Sequence, residues 1–224
     1  MEIGKYIDHT NLKMDAREED ITKLCKEAID YGFETVCVNP YYVPLAADLL
    51  KNSNVGVCCV VGFPLGMNTP KVKSYEAIEA IENGADEIDM VINVGALKDK
   101  DYDYVKEEIE EVRDNIDGKT LKVIIETSLL TKEEIIKMTE ICNETFVNFI
   151  KTNTGFGKRG VSIEDVETIH EHKSEVLEIK ASGGIETFKQ MTDLIDAGAT
   201  RIGSSKSVQI IKNMEVKLWS YMMN

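Results

Sequence analysis

The feature that most constrains the fold of this sequence is a strict alternation between short apolar runs and longer amphipathic stretches. The apolar runs are rich in β-branched residues, as in "VGVCCVV" from Val55, and are typical of buried strands. We predict strands over residues 5–10, 35–39, 55–63, 87–93, 121–128, 146–152, 176–182 and 200–204. We predict helices over residues 16–31, 41–51, 70–83, 101–115, 132–143, 162–172, 186–197 and 207–221. Alternation of this kind indicates a parallel sheet, because each helix returns the chain to the start of the next strand.

Local signals mark where several of these helices begin and end. Thr131 and Ser162 each precede an acidic residue by three positions, Glu134 and Asp165, which is the capping-box pattern. A glycine follows several helices just before the next strand, as in "YGFETVCV" and "AGATRIG". Eight such units without a Pro/Ser-rich linker favour one (β/α)₈ TIM barrel, an α/β fold, as a single catalytic domain over residues 1–224. A doubly wound open sheet is the alternative.

Polar residues fall at the C-terminal ends of most predicted strands, which is where the active site of a (β/α)₈ barrel lies. They are Asp8, Thr10, Cys37, Asn39, Asp89, Glu126, Ser128, Lys151, Asn153, Lys180, Ser182 and Gly203 to Ser205. Side chains alternate between the two faces of a strand, so apolar neighbours such as Ile150 and Ile179 should face the helices. An interior packed only for stability would carry Val, Ile and Leu. The pattern therefore predicts a catalytic site inside the barrel.

Two of these polar residues are lysines on neighbouring strands, Lys151 in "NFIKTNTG" and Lys180 in "LEIKASGG". A lone lysine in a strand most often extends to solvent at the strand end, but two lysines facing Asp89 indicate a functional site. The ordinary pKa of lysine is about 10.4, and burial or a nearby cation lowers it, so one amine can be uncharged near neutral pH. A free amine attacks a carbonyl to form a Schiff base, and Asp89 can shuttle the protons.

Other residues in the pattern carry less information. Cys37 could be a small core residue, and Glu126 could pair with a lysine or cap a loop. The histidines are His9, His170 and His172, and the last two are two positions apart on a predicted helix, where their side chains diverge. Because neither a metal-ligand spacing nor a G-x-G-x-x-G motif is found, we expect no metal and no cofactor.

The charge of the chain limits the class of its partners. Lys and Arg total 26 against 40 Asp and Glu, a net charge of −14, which argues against nucleic acid. The start "MEIGKYIDHT" has no apolar signal core, and no run approaches the ~20 apolar residues of a membrane span. Five cysteines without a C-x-x-C pair are typical of a reducing compartment. We expect a cytoplasmic protein that does not bind a membrane.

Glycine-rich strand ends could hold an anion in spite of this negative charge. "ASGGI", with Gly183 and Gly184, and "IGSS", with Gly203, Ser204 and Ser205, follow the seventh and eighth predicted strands. Barrels often bind phosphate there through backbone N–H groups and a helix N-terminus. The sequence therefore predicts a phosphorylated substrate.

Taken together, these motifs resemble the deoxyribose-phosphate aldolase family. The matching segments run in order along nearly the whole chain: "YIDHTNLK", "VCVNP", "VGFPLG", "GADEIDMVINVGALK", "LKVIIETSLL", "FIKTNTGFG", "IKASGGI" and "RIGSS". The resemblance implies a (β/α)₈ barrel, a homodimer or homotetramer, and no cofactor. It also implies a class I aldolase, an aldehyde-lyase that reversibly cleaves 2-deoxy-D-ribose 5-phosphate to D-glyceraldehyde 3-phosphate and acetaldehyde in deoxyribose phosphate catabolism.

The resemblance also assigns residues. Lys151 would be the Schiff-base lysine, with Asp89 and Lys180 as the proton relay. The implied substrate-binding residues are Asp8, Thr10, Leu12, Cys37, Thr152, Gly155, Gly183, Gly184, Gly203, Ser204 and Ser205. Lys206 departs from the family pattern, and we hypothesise that it strengthens phosphate binding. Two rival hypotheses are a Schiff-base aldolase for another sugar phosphate and a barrel that binds sugar phosphates without turnover.

Overall fold

The computed structural model describes the backbone of residues 3–222 and the side chains of residues 3–214. Its eight strands pair in parallel in chain order and close into a barrel where the last strand pairs with the first. The strands are β1 (Ile7–Thr10), β2 (Thr35–Val38), β3 (Gly56–Val61), β4 (Glu87–Val91), β5 (Thr120–Ile124), β6 (Phe149–Lys151), β7 (Glu178–Ser182) and β8 (Arg201–Ser204). This confirms the predicted (β/α)₈ barrel, and the open-sheet alternative is wrong.

Nine α-helices lie within the described residues, one more than predicted. They are α1 (Glu18–Tyr31), α2 (Val43–Leu50), α3 (Pro70–Glu82), α4 (Val94–Lys98), α5 (Tyr102–Arg113), α6 (Lys132–Glu144), α7 (Ile163–His172), α8 (Phe188–Asp196) and α9 (Ser207–Met222). The sequence analysis missed α4, because five residues are too few to show a helical period. Asn93 caps this helix by accepting a hydrogen bond from the backbone of Ala96.

Several predicted strands were too long, and the backbone gives the reason. The first strand was predicted from residue 5, but Ile3–Tyr6 forms a 3₁₀ turn. Glu126 and Phe146 have φ of 54° and 52°, in the left-handed region, which a strand cannot accommodate. The fifth strand therefore ends before Glu126, and the sixth begins after Phe146.

The predicted helix signals are confirmed. Both residues of each capping box form their reciprocal hydrogen bonds, Thr131 with Glu134 and Ser162 with Asp165. Gly32 ends α1 with φ of 63°, a conformation that glycine adopts without a steric penalty. These local signals fix where each helix begins and ends relative to its strand, and so which strand residues reach the open end of the barrel.

Two apolar layers lie on opposite sides of the strands. The larger layer lies between strands and helices and includes Ile150 and Ile179, both fully buried, as the alternation predicted. A small second cluster, Leu12, Cys37, Cys58 and Val60 with Phe63 packed against it, is formed largely by inward-facing residues of β2 and β3. No described helix is long and apolar enough to cross a membrane.

A buried ion pair ties the helices on one side of the barrel together. The Lys73 ammonium on α3 donates to Glu108 on α5 at 2.5 Å, and both side chains are inaccessible to solvent. The second oxygen of Glu108 accepts the backbone N–H of Asn93 at 2.7 Å. The pair therefore also holds the backbone that follows β4, the strand that carries Asp89.

Candidate active site

Seven charged side chains meet inside the barrel, and we call them the charge cluster. They are Asp8, Glu87, Asp89, Lys122, Lys151, Lys180 and Arg201. All except Glu87 are buried. Neighbouring strands bring them together because the parallel register pairs Asp89 with Lys122 and Lys151 with Lys180. The two lysines predicted to meet at Asp89 do so.

Asp89 is the centre of the cluster. One carboxylate oxygen accepts hydrogen bonds from Lys151 and Lys180, each at 2.7 Å. The other oxygen accepts from Lys122 at 2.8 Å and from the Cys58 thiol at 3.0 Å. The amines of Lys151 and Lys180 therefore lie within two hydrogen-bond lengths of each other, with one oxygen between them.

Asp8 and Glu87 join the remaining cations to this centre. Asp8 lies 2.5 Å from the Lys180 ammonium and accepts from Arg201 at 2.7 Å. Glu87 lies 2.6 Å from Lys122 and 3.2 Å from Arg201. Each carboxylate of the cluster thus contacts at least two cations.

These contacts fix the charge state of several groups. Burial alone would raise the pKa of Asp89, but Lys122, Lys151 and Lys180 outweigh it and hold the pKa far below its usual range. The pKa of Asp8 is lowered in the same way, since its cationic neighbours outweigh its burial. Burial would lower the pKa of Lys180, yet Asp8 and Asp89 raise it. Lys180 therefore stays protonated at neutral pH and is a cationic neighbour of Lys151.

A cavity of about 410 Å³ opens above the cluster at the C-terminal ends of the strands. Of the three lysines in the cluster, Lys151 alone lines it. The cavity is walled by segments that follow β1, β6, β7 and β8, together with part of α1. Among the lysines of the cluster, the one whose amine can meet a ligand is thus Lys151, to which the resemblance assigns the Schiff base.

Most of the other predicted substrate-binding residues line this cavity. They are Thr10, Leu12, Gly155, Gly183, Gly184, Gly203, Ser204 and Ser205, and Lys206 lies beside them. Gly183 and Gly184 have φ of 96° and 74°, so a side chain at either position would strain this wall.

Asp8, Cys37 and Thr152 lie beneath the cavity lining rather than on it. Asp8 belongs to the charge cluster, and Cys37 has its sulfur 3.9 Å from Asp89. The Thr152 hydroxyl is fully buried, donates to the carbonyl of Ser182 and accepts its N–H, both at 3.0 Å. These three residues therefore support the residues that line the cavity and do not line it themselves.

Sequence reasoning missed Lys122, Glu87, Arg201 and Cys58. Lys122 had a usable signal, because "LKVII" places a lysine inside an apolar strand in the same manner as Lys151 and Lys180. Glu87 and Arg201 had none, since each is the first residue of its strand, where a charge usually indicates solvent exposure.

Among the side chains that the structure describes, two groups of donor atoms lie close enough to hold a metal ion, Cys37–Cys58–Asp89 and Asp8–Cys58–Glu87, with ligand atoms within 4.8 Å of one another. The carboxylates in both groups are already hydrogen-bonded or ion-paired to cations of the cluster. A metal would have to displace these cations, so the donor set fits a metal poorly.

Comparison with known proteins shows which family the chain belongs to. Residues 3–205 match the model for the DeoC/LacD family aldolases. The chain belongs to this aldolase family. The match confirms the resemblance drawn from the motifs, and with it the enzyme class, an aldehyde-lyase.

Curated relatives support the assignment over nearly the full length. The deoxyribose-phosphate aldolase of Clostridium tetani is 54% identical over 213 residues, which are 95% of this chain and 99% of that protein. The deoxyribose-phosphate aldolase of Thermococcus gammatolerans is 54% identical over 216 residues, 95% of this chain and 96% of that protein.

Two solved aldolase structures superpose closely on this chain. The aldolase named QR15 has a TM-score of 0.92 and 41% identity, covering 97% of both chains. The deoxyribose phosphate aldolase of Aeropyrum pernix, described as a tetramer, has a TM-score of 0.88 and 30% identity, covering 94% of this chain and 89% of its own.

Proposed function

We propose that this protein is a deoxyribose-phosphate aldolase that reversibly cleaves 2-deoxy-D-ribose 5-phosphate to D-glyceraldehyde 3-phosphate and acetaldehyde through a Schiff base at Lys151. The observation that supports this most strongly is that Lys151 is the cluster lysine that lines the cavity. The names of the curated relatives support the substrate. We assign the reaction to deoxyribose phosphate catabolism in the cytoplasm, with residues 1–224 as one catalytic domain.

The charges of the cluster explain why Lys151 can act as a nucleophile. Lys122, Lys180 and Arg201 supply three positive charges, which match those of the three carboxylates. The other six groups of the cluster are thus balanced in charge without any contribution from Lys151, in a site where an unmatched buried charge is costly. The neutral amine is the nucleophilic form.

In the cleavage direction, the Lys151 amine attacks the aldehyde carbon of the open-chain sugar and water leaves to give the protonated imine. Removal of the proton from the C3 hydroxyl breaks the C2–C3 bond, C3 becomes the aldehyde carbon of the departing D-glyceraldehyde 3-phosphate, and the electron pair moves into the imine to form an enamine. Asp89, hydrogen-bonded to both Lys151 and Lys180, relays the protons that these steps require. Protonation of the enamine carbon and hydrolysis then release acetaldehyde and free the lysine.

The remaining cavity residues fit the other parts of this substrate. Leu12 belongs to the inner apolar cluster and also lines the cavity, where it suits the two-carbon fragment. Gly155, the glycines after β7 and the segment Gly203 to Lys206 suit the phosphate, which backbone N–H groups and a helix N-terminus bind well.

Trapping of the covalent intermediate tests the proposal. The protein is incubated with 2-deoxyribose 5-phosphate, reduced with borohydride and digested, and the modified peptide is identified by mass spectrometry. We expect the adduct on Lys151, none in Lys151→Leu, and full activity in EDTA. An adduct on another lysine, or turnover by Lys151→Leu, would refute the assignment.

A panel of other sugar phosphates separates the rival aldolases, and binding without turnover would indicate the non-catalytic rival.

The assembly state belongs to the proposal as well. The Aeropyrum pernix relative is described as a tetramer, and we propose a homodimer or homotetramer for this chain. Light scattering on the purified protein gives the mass directly.

A further inference from the structure

Glu126 combines an unfavourable backbone with an unusual side-chain environment. Four non-glycine residues among those described have positive φ, and Glu126, at φ 54° and ψ 65°, is the buried one. Lys100, Asp117 and Phe146 lie in exposed turns. Strain of this kind persists where the surroundings impose it and often accompanies a functional site. The position of Glu126, just past the end of β5 at the open end of the barrel, therefore calls for a physical reason.

The Glu126 carboxylate is buried without an ion-pair partner among the residues that the structure describes. Its hydrogen bonds come from neutral donors instead. One oxygen accepts the hydroxyl of Thr154 at 2.6 Å and its backbone N–H at 3.0 Å, and the other accepts the Ser128 hydroxyl at 2.6 Å. A buried carboxylate needs such bonds, so its burial and the placement of Thr154 depend on each other.

The segment that Glu126 holds is part of the cavity wall. Thr154, Gly155 and Phe156 line the cavity together with Lys151. The Thr154 hydroxyl also accepts the backbone N–H of Phe156 at 3.0 Å. The same hydroxyl therefore bonds to Glu126 and fixes the backbone of residues 154–156.

Gly157 shows how closely this segment lies on the carboxylate. A Cβ added at Gly157 would be 2.3 Å from one Glu126 oxygen and 2.4 Å from the Ser128 hydroxyl. The backbone can pass at this distance only without a side chain. The segment 154–157 therefore contacts the Glu126 carboxylate at both of its ends, through Thr154 and Gly157.

We infer that Glu126 is a positioning residue: its carboxylate holds the segment 154–157 in place, so that Thr154, Gly155 and Phe156 form part of the cavity wall, and thereby sets the affinity for the phosphate-bearing part of the substrate. The inference rests on the proposed function, because it takes 2-deoxyribose 5-phosphate as the substrate. The left-handed backbone at Glu126 turns the chain so that its side chain reaches the segment after β6. Glu126 acts through this segment and does not itself line the cavity.

The test compares Glu126→Gln with wild type by steady-state kinetics. Glutamine keeps the size of the side chain. One of the two carboxylate oxygens is replaced by an NH₂ group, however, which cannot accept the hydrogen bond that this oxygen receives. We expect KM for 2-deoxyribose 5-phosphate to rise about tenfold with kcat within about threefold, because wall placement is changed while Lys151 and Asp89 are untouched. kcat/KM for unphosphorylated 2-deoxyribose should change less than about threefold. Glu171→Gln, at an exposed position on α7, is the matched control.

A merely structural role would lower the melting temperature and the fraction of enzyme trapped by borohydride without changing KM. A KM rise below about threefold, or an equal loss for both substrates, overturns the inference. If Glu126→Gln does not fold, Gly157→Ala decides by the same criterion, since its added Cβ meets the same carboxylate. Wild-type protein that does not cleave 2-deoxyribose 5-phosphate would instead refute the proposed function, so the two failures are distinct.

Discussion

Replacing Lys180 with methionine separates the role of the second cation from that of the nucleophile. The Lys180 ammonium is fully buried, 2.7 Å from Asp89 and 2.5 Å from Asp8, and it does not line the cavity. Lys180→Met therefore leaves Lys151 in place and removes one positive charge from the cluster. The two carboxylates lose a shared partner, and the three carboxylates of the cluster then outnumber the cations other than Lys151 by one.

Two magnitudes follow. Lys180 holds the Asp89 carboxylate that relays protons, and loss of positioned proton transfer lowers kcat by about 10²–10⁴-fold. Removing one partner of a buried ion pair costs about 3–5 kcal/mol of unfolding free energy. In a domain of this size each kcal/mol shifts the melting temperature by about 2–4 °C, so we expect a fall of roughly 6–20 °C.

The assay measures acetaldehyde release at saturating 2-deoxyribose 5-phosphate, and calorimetry gives the melting temperature. Lys71→Met, at an exposed position on α3, is the matched control and should change neither value. Lys180→Arg should recover part of the stability, because it keeps the charge, but little of the activity, because the planar guanidinium does not reproduce the contacts that the ammonium makes with Asp8 and Asp89. A kcat for Lys180→Met within tenfold of wild type would refute the charge-balance reasoning.

Three further predictions concern the cavity, the helices and the response to acid. Lys206→Ala should raise KM for 2-deoxyribose 5-phosphate about tenfold, the size of a lost charge-assisted hydrogen bond, and leave KM for 2-deoxyribose unchanged; an unchanged KM ratio rejects the idea. Lys73→Met should lower the unfolding free energy by about 3–5 kcal/mol, because Glu108 stays buried and unpaired. Denaturant titration should show most of that loss recovered in Lys73→Met/Glu108→Gln, and a loss below about 1 kcal/mol would contradict it. The pKa values of Asp8 and Asp89 are lower in the folded protein than their ordinary value of 3.8, so their contribution is complete above that value and is lost as the pH falls below it. Unfolding free energies measured from about pH 6 to 2 should decline at the acidic end, and a flat profile would argue against ionised carboxylates in the cluster.

The fold was predictable because its signals are local. Strand alternation separates Ile150 from Lys151 without knowledge of any other strand, and the capping boxes at Thr131 and Ser162 fix helix starts within four residues. The failures were also local in origin. The left-handed backbone of Glu126 and Phe146 has no sequence signal, since neither is a residue that favours this conformation.

The candidate site was predictable only in part. Lys151, Lys180 and Asp89 could be proposed because lysine and aspartate inside apolar strands are conspicuous. Glu87 and Arg201 could not be proposed, because a charged residue at the start of a strand usually indicates solvent exposure. Only the closed barrel places these two side chains inside, where they form an ion pair.

The sequence by itself determined that Asp89, Lys151 and Lys180 face the barrel interior, because that follows from the period of a strand and the position of its ends. Only the tertiary structure decided how many charges meet at Asp89, and which amine among three reaches the cavity. Those properties depend on strands far apart in the chain, since Asp8 and Arg201 become neighbours only when β1 pairs with β8. Electrostatic energy depends on distances between groups, and closure of the barrel sets those distances.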